Sequence, residues 1–240
     1  CLVLTNRLVA ELSGFSSLYS AFSTSKYYKK NYQYLNTELL SNDLTKLGDV
    51  PIILHRIIKL KVSLETPHTP LTAILSKEIY SGLTFAKLQS LLAELKSITG
   101  DSLNEYIISI FNEYEARSLS FKKVMDEIFD LERLSYTTFF SYVLNKLNPN
   151  LDEENEEEVR QAKDLINQLL NVNLDEYLRW YYFVENKQAS EVIYHTYHGT
   201  KGVEFENVVV IGENNFGLER GKFSSYFQNT SNLELGEEES

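Results

Sequence analysis

Residues 101 to 198 of this 240-residue chain contain no glycine, whereas six of its ten glycines follow His198. Glycine stands where a backbone turns tightly or approaches something closely. A long span without it must be built from regular elements joined by short polar turns. All four prolines lie between residues 51 and 149, so they punctuate the middle of the chain and spare both ends.

Apolar residues in the middle recur at helical spacing. Phe85, Leu88, Leu91, Leu92 and Leu95 predict one helix, Leu103, Ile107, Ile110, Phe111 and Tyr114 a second, and Val124, Ile128 and Leu131 a third. Val159, Ala162, Ile166, Leu169 and Leu170 make a further face, preceded by acids that suit a helix N-terminus. Leu174 to Phe183 predicts an aromatic helix containing the only tryptophan, Trp180. Breaks are expected at Gly48–Pro51, Pro67–Pro70, Gly82, Gly100–Asp101 and Asn148–Asn150.

The ends differ. Cys1 to Thr5 reads as a buried strand, with Asn6 placed to cap a helix through Leu8, Val9 and Leu12. Val192 to Tyr194 and Val208 to Ile211 have the β-branched and aromatic content of short strands. Between them lie two histidines, a lysine and two glycines, in a turn that no core would choose. A strand, a polar glycine-bearing turn and a second strand describe a site at the carboxyl edge of an α/β sheet. The order predicts an α/β fold with a large all-α insertion. Its segments are 1–23, a helical subdomain over 24–190, and 191–240 with the glycine turn and an acidic tail.

The turn resembles motif V of the UvrD/Rep-type superfamily 1 helicases, roughly T-x-H-x-x-K-G-x-E-F followed by an apolar strand. Thr196, His198, Lys201, Gly202, Glu204 and Phe205 fill that pattern. The start resembles the family's motif IV, a strand ending in Thr-Asn before a helix. Where the family carries an arginine two residues before the Asn, this chain has Leu4, and Arg7 is the nearest guanidinium. The resemblance implies part of a RecA-like (P-loop NTPase) motor domain interrupted by a helical accessory subdomain. It implies that Thr196 and His198 touch single-stranded or partly duplex DNA, with Lys201 on phosphate or bracing the turn. Glu204 would accept from the ribose of ATP, Gly202 would let the turn close, and Arg7 would either replace the missing arginine or be a solvated first-turn residue.

Several pieces of a motor are not in the sequence. No G-x-x-x-x-G-K-[ST] phosphate loop, no Walker B acidic pair and, after the turn, no arginine-bearing motif VI of that family occur. Phosphoryl transfer needs these parts. The expectation is an ATP-dependent DNA helicase as the full-length protein, working with ATP and Mg²⁺. The first RecA-like domain would be supplied in cis from outside this chain, with no catalytic residue and no metal ligand here. The rival expectation is a helical protein-interaction module, or an inactive helicase relative, that recruits a nuclease or repair protein.

Composition bounds these readings. Hydrophobic residues at 43% and aromatics at 12% support a real core. No apolar run approaches the ~18 residues of a membrane span, and one cysteine fits a reducing cytoplasm, so a cytoplasmic protein without membrane contact is expected. A net charge of −11 argues against a broad nucleic-acid surface, but acids are concentrated in Asp152–Glu158 and Glu234–Glu239, so local basic sites can persist. Lys26, Tyr27, Tyr28, Lys29 and Lys30, with Tyr32 and Tyr34, interleave cations and aromatics as single-strand binders do, or form a basic hinge. Trp180, Tyr181 and Tyr182 are expected in a core or interface, His195 in a structural role, and His55 and His68 at the surface. The chain opens without Met, directly in a strand, and ends in an acidic tail, and so reads as a fragment.

Overall fold

A computed structural model describes residues 2–3, 5–112, 114–187, 195–196 and 208–211. Contacts divide the chain into two units, Cys1–Ser13 with Ala189–Ser240, and Gly14–Gln188. Helix dominates, and the α/β expectation is thereby overturned. Strand among the described residues is limited to β1 (Leu2–Val3), β2 (His195–Thr196) and β3 (Val210–Ile211), two residues each. A RecA-like layer needs strands of about five or six residues to carry helices on both faces. An apolar run such as the one at Cys1–Thr5 signals burial but does not fix how many residues join a ladder.

The first unit also carries α1 (Asn6–Leu12), which buries Val9 and Ala10. Its N-cap is Thr5 rather than the expected Asn6: the Thr5 hydroxyl accepts from the Leu8 N–H at 3.3 Å.

The second unit runs through α2 (Ser16–Thr24), α3 (Lys26–Lys30), α4 (Tyr32–Leu39), α5 (Asp49–Glu65), α6 (Leu71–Ile74) and α7 (Lys77–Tyr80). It continues with α8 (Phe85–Lys96), α9 (Leu103–Phe111), α10 (Leu119–Phe129), α11 (Tyr136–Leu147), α12 (Glu156–Leu170) and α13 (Leu174–Val184). Single 3-10 turns at Leu44–Lys46 and Tyr114–Ala116 complete it. None of the described helices is long and apolar enough to cross a membrane.

From α8 to α13 every helix begins with a Ser, Thr or Asn side chain accepting a first-turn N–H. Each such cap contributes about 1 kcal/mol. Helix ends that would ordinarily take glycine use acids and amides instead. Asp130 (φ 53°) closes α10, and Asn186 (φ 51°) follows α13. At α13 the Asn186 N–H reaches the Phe183 carbonyl at 3.1 Å and the Lys187 N–H reaches the Tyr182 carbonyl at 2.9 Å, a Schellman closure. Asp and Asn are the non-glycine residues that tolerate this backbone best. That tolerance is what lets a glycine-free region stop its helices.

Helix α5 is the centre of the unit. Val50, Ile53, Leu54, Ile57, Ile58 and Leu60 are buried, and α8, α10, α11 and α13 all pack on it. Pro51, read from sequence as a break, is the third residue of this helix. A first-turn N–H has no intrahelical partner in any case, so proline is tolerated there. Trp180 is fully buried on α13 and donates its indole N–H to the Leu39 carbonyl at 2.8 Å, tying α13 to the end of α4.

His55 corrects a second expectation. It is 2% exposed, not at the surface. Its Nε2 lies 3.0 Å from Glu185 Oε1, and its ring sits 5.0 Å from Tyr181 and edge-on to Trp180. Burial pushes the His55 pKa down, against the opposing pull of Glu185. Burial pushes the Glu185 carboxyl up, but Lys187, at 2.8 Å, and His55 outweigh it and hold it below the usual range. At neutral pH the pair is therefore a neutral imidazole donating through Nε2–H to a carboxylate, not an ion pair of full charges.

Two outcomes follow. Trp180→Phe should cost about 1–3 kcal/mol by stranding the Leu39 carbonyl, and Trp180→Ala about 3–5 kcal/mol, both read from urea unfolding midpoints. Because the folded state disfavours protonated His55, its contribution should be complete above about pH 6.5. It should fall away as pH drops from there toward the lower folded pKa. His55→Gln should remove that part of the pH dependence of the unfolding midpoint.

Candidate functional site

The first unit holds its strands in parallel, in the order β2-β1-β3. Leu2 pairs with His195 and Val210, and Val3 pairs with Thr196 and Ile211. Val3, Thr196 and Ile211 therefore mark one edge of the sheet, the carboxyl end of all three strands. β2 and β3 flank β1 on opposite sides.

Helix α1 starts from the same edge, directly after β1, and packs on β2. Its first turn carries Arg7, which is exposed. The topology thus brings Thr196 and the first turn of α1 to a common edge. Thr196 is described as part of β2. His198, Lys201, Gly202 and Glu204 lie outside the described residues, as does the strand expected at Val192–Tyr194.

The fit to ATP and Mg²⁺ is limited. Among the described residues no group of three or more His, Cys, Asp or Glu could hold a metal ion. Arg7 is the one described residue assigned to nucleotide, and an exposed arginine is not a pocket. No step of hydrolysis is assigned to these residues.

The lysine–tyrosine segment divides into two parts. Tyr28 is buried, and Tyr27 and Tyr28 both donate hydroxyls to Glu38, at 3.1 and 3.0 Å. Burial, reinforced by Glu38, pushes the Tyr27 pKa up to about 12 and the Tyr28 pKa higher still, so both stay neutral donors. Lys26 pairs with Glu158 at 2.5 Å and donates to the Asn150 carbonyl at 3.1 Å. These three residues fasten α3 to α4 and α12. Lys29, Lys30, Tyr32 and Tyr34 are left exposed. Trp180 and Tyr181 are buried, and Tyr182 is partly exposed at 37%.

The buried His55–Glu185 pair was not visible in the sequence as a site. The available signal was a polar ring set among isoleucines and leucines. The pair closes the end of α13, with the His55 ring packed against Tyr181 and Trp180.

No family model and no solved structure matches the chain. The chain is 42% identical over 232 residues to the Gabija protein GajB of Bacillus cereus (strain HuB5-5), a match covering 95% of this chain. It spans 34% of the length of that protein, so the likeness is to one portion of a longer chain.

Proposed function

We propose that this chain is a portion of an ATP-dependent DNA helicase or translocase, and that its 196–205 segment grips single-stranded DNA and reaches the ribose of ATP. The observation that carries the reading is the matched pattern from Thr196 to Phe205, whose first residue stands at the carboxyl end of β2. The similarity to about a third of a longer curated protein supports a part working within a larger machine.

In this reading Thr196 donates a neutral hydroxyl to phosphate and His198 donates a ring N–H, contacts that position DNA without reading bases. Lys201 pairs with phosphate or braces the turn. Gly202 lets the main chain close, and successive turn N–H groups can themselves hold an anion. Glu204 accepts from a ribose hydroxyl, and Arg7 stands toward the nucleotide. The phosphate loop, Mg²⁺ ligands and catalytic arginine come from other portions of the protein. DNA and nucleotide contacts only a few residues apart would let ATP state shift the turn and the turn shift the grip on DNA.

The size of the helical unit, Gly14–Gln188, favours a second reading: a module that binds a nuclease or repair partner and never touches DNA. The two readings separate on DNA binding by the full-length protein. Thr196→Ala and His198→Ala should each weaken single-strand binding and DNA-stimulated ATPase, with basal nucleotide binding within about twofold. Each lost phosphate contact should flatten the salt slope by at most about 0.7. Unchanged DNA affinity in both variants would leave the interaction module as the better account.

Glu204 has its own test. Its bond to a ribose hydroxyl is charge-assisted and worth about 1.5–3 kcal/mol if shielded from water. Glu204→Ala should raise the KM for ATP, and a 2′,3′-dideoxy nucleotide should narrow the gap between wild type and variant. If both lose equally on removal of the ribose hydroxyls, Glu204 does not contact the sugar.

A further inference from the structure

The helical unit carries a cleft of about 630 Å³ where α3 meets α12, lined by Lys26, Lys29, Lys30, Gln161, Asp164 and Gln168 among others. Lys26 and Glu158 cancel each other in their ion pair. What remains is two exposed lysines, Lys29 and Lys30, against one further carboxylate, Asp164, with the amides of Gln161 and Gln168 beside them. In a chain of net charge −11, adjacent lysines in a cleft run against the composition.

The chain then turns at Asn31 and begins α4 with two exposed rings: Tyr32 is 57% and Tyr34 44% exposed. The Tyr32 hydroxyl lies 3.4 Å from that of Tyr19, a contact that restrains the ring while leaving most of the residue open. Paired cations in a cleft lined with amides, followed along the chain by large exposed rings, are the components of a single-strand site. Cations track phosphates and rings stack on unpaired bases.

We propose that the α3–α4 surface, Lys29, Lys30, Tyr32 and Tyr34 with the adjoining cleft, is a binding site for single-stranded nucleic acid, separate from the 196–205 segment. Lys29 and Lys30 hold consecutive phosphates, and the two tyrosines take bases. Lys26, Tyr27 and Tyr28, although part of the same sequence run, hold the platform in place and touch no ligand. An acidic peptide would satisfy the lysines but has no use for the exposed rings, so nucleic acid is the better fit.

The test uses the full-length protein and the fluorescence anisotropy of a labelled oligothymidylate of about 16 nucleotides, titrated at several salt concentrations. Lys29→Glu/Lys30→Glu should weaken binding about tenfold or more and lower the salt slope by roughly 1.4, two phosphates at about 0.7 each. Lys29→Arg/Lys30→Arg should retain binding within a fewfold. Tyr32→Ala/Tyr34→Ala should weaken it about tenfold with the slope unchanged, since stacking releases no counterions. Lys96→Glu/Lys123→Glu, exposed on α8 and α10, makes the same change in net charge elsewhere and should leave affinity within about twofold. Thermal melting of the lysine variants should match wild type, because those side chains are exposed, while that of Tyr32→Ala/Tyr34→Ala should fall only slightly, since each ring is partly covered and Tyr32 gives up its contact with Tyr19.

Wild-type affinity and slope in Lys29→Glu/Lys30→Glu would overturn the proposal. So would an equal loss in the Lys96→Glu/Lys123→Glu control. Displacement of the oligonucleotide by a polyglutamate peptide, with no effect of the tyrosine substitutions, would overturn it in favour of an acidic protein partner. If these variants lose binding while His198→Ala does not, the surface stands and the 196–205 assignment falls.

Discussion

Helix α5 leaves only a narrow strip around Arg56 and Lys59 to water, and the helical unit is arranged around that constraint. Its buried positions, Val50, Pro51, Ile53, Leu54, His55, Ile57, Ile58, Leu60 and Ser63, spread over most of its circumference, so no single partner could cover them. Each Val, Ile or Leu side chain among them stabilises by about 1.5–3 kcal/mol when buried rather than exposed. Covering them takes α8, α10, α11 and α13 together. The polar exceptions fit the same logic. His55 can sit in this environment only because Glu185 accepts from it and because it stays neutral.

The helices that sequence periodicity revealed are those with one wet face. α8, α12 and α13 fall where apolar residues recur every three or four positions and where a Ser, Thr or Asn stands just ahead. Helix α5 was not legible because Pro51 near its start mimicked a break, although Val50, Ile53, Leu54, Ile57 and Ile58 keep helical spacing. Helices α3 and α4 were read by composition as a charged aromatic stretch, because their apolar contacts alternate with tyrosines whose hydroxyls had no visible partner until Glu38 was placed. His55 shows the same limit, since a lone histidine beside lysines in sequence reads as solvated until the fold supplies Tyr181, Trp180 and Glu185 around it.

At the candidate site the sequence was more explicit about chemistry than about architecture. The register of Thr196, His198, Lys201, Gly202, Glu204 and Phe205 is a one-dimensional pattern and needs no fold to be seen. The parallel pairing of Leu2 with both His195 and Val210 is a long-range fact that no local signal contained. Strand length was overestimated at Cys1–Thr5 because hydrophobicity reports burial, whereas ladder length depends on the neighbour. The Thr5 cap was missed by one residue because Thr and Asn are both good caps and stand side by side.

The use of Asp130, Asn150 and Asn186 at left-handed positions has a consequence for the denatured chain. Glycine there would relieve local strain in the fold, but it would also give the unfolded backbone more states to lose on folding, a difference of roughly 0.5–1 kcal/mol per position. Residues 101–187 contain no glycine, so this part of the molecule begins folding from a chain already short of conformational choices. Its helix boundaries are written into local caps and stops, and can be set before any distant contact forms. Stops and caps written locally in this way lower the sequence separation of the contacts that define α9 to α13, and local contacts are the ones that favour fast folding.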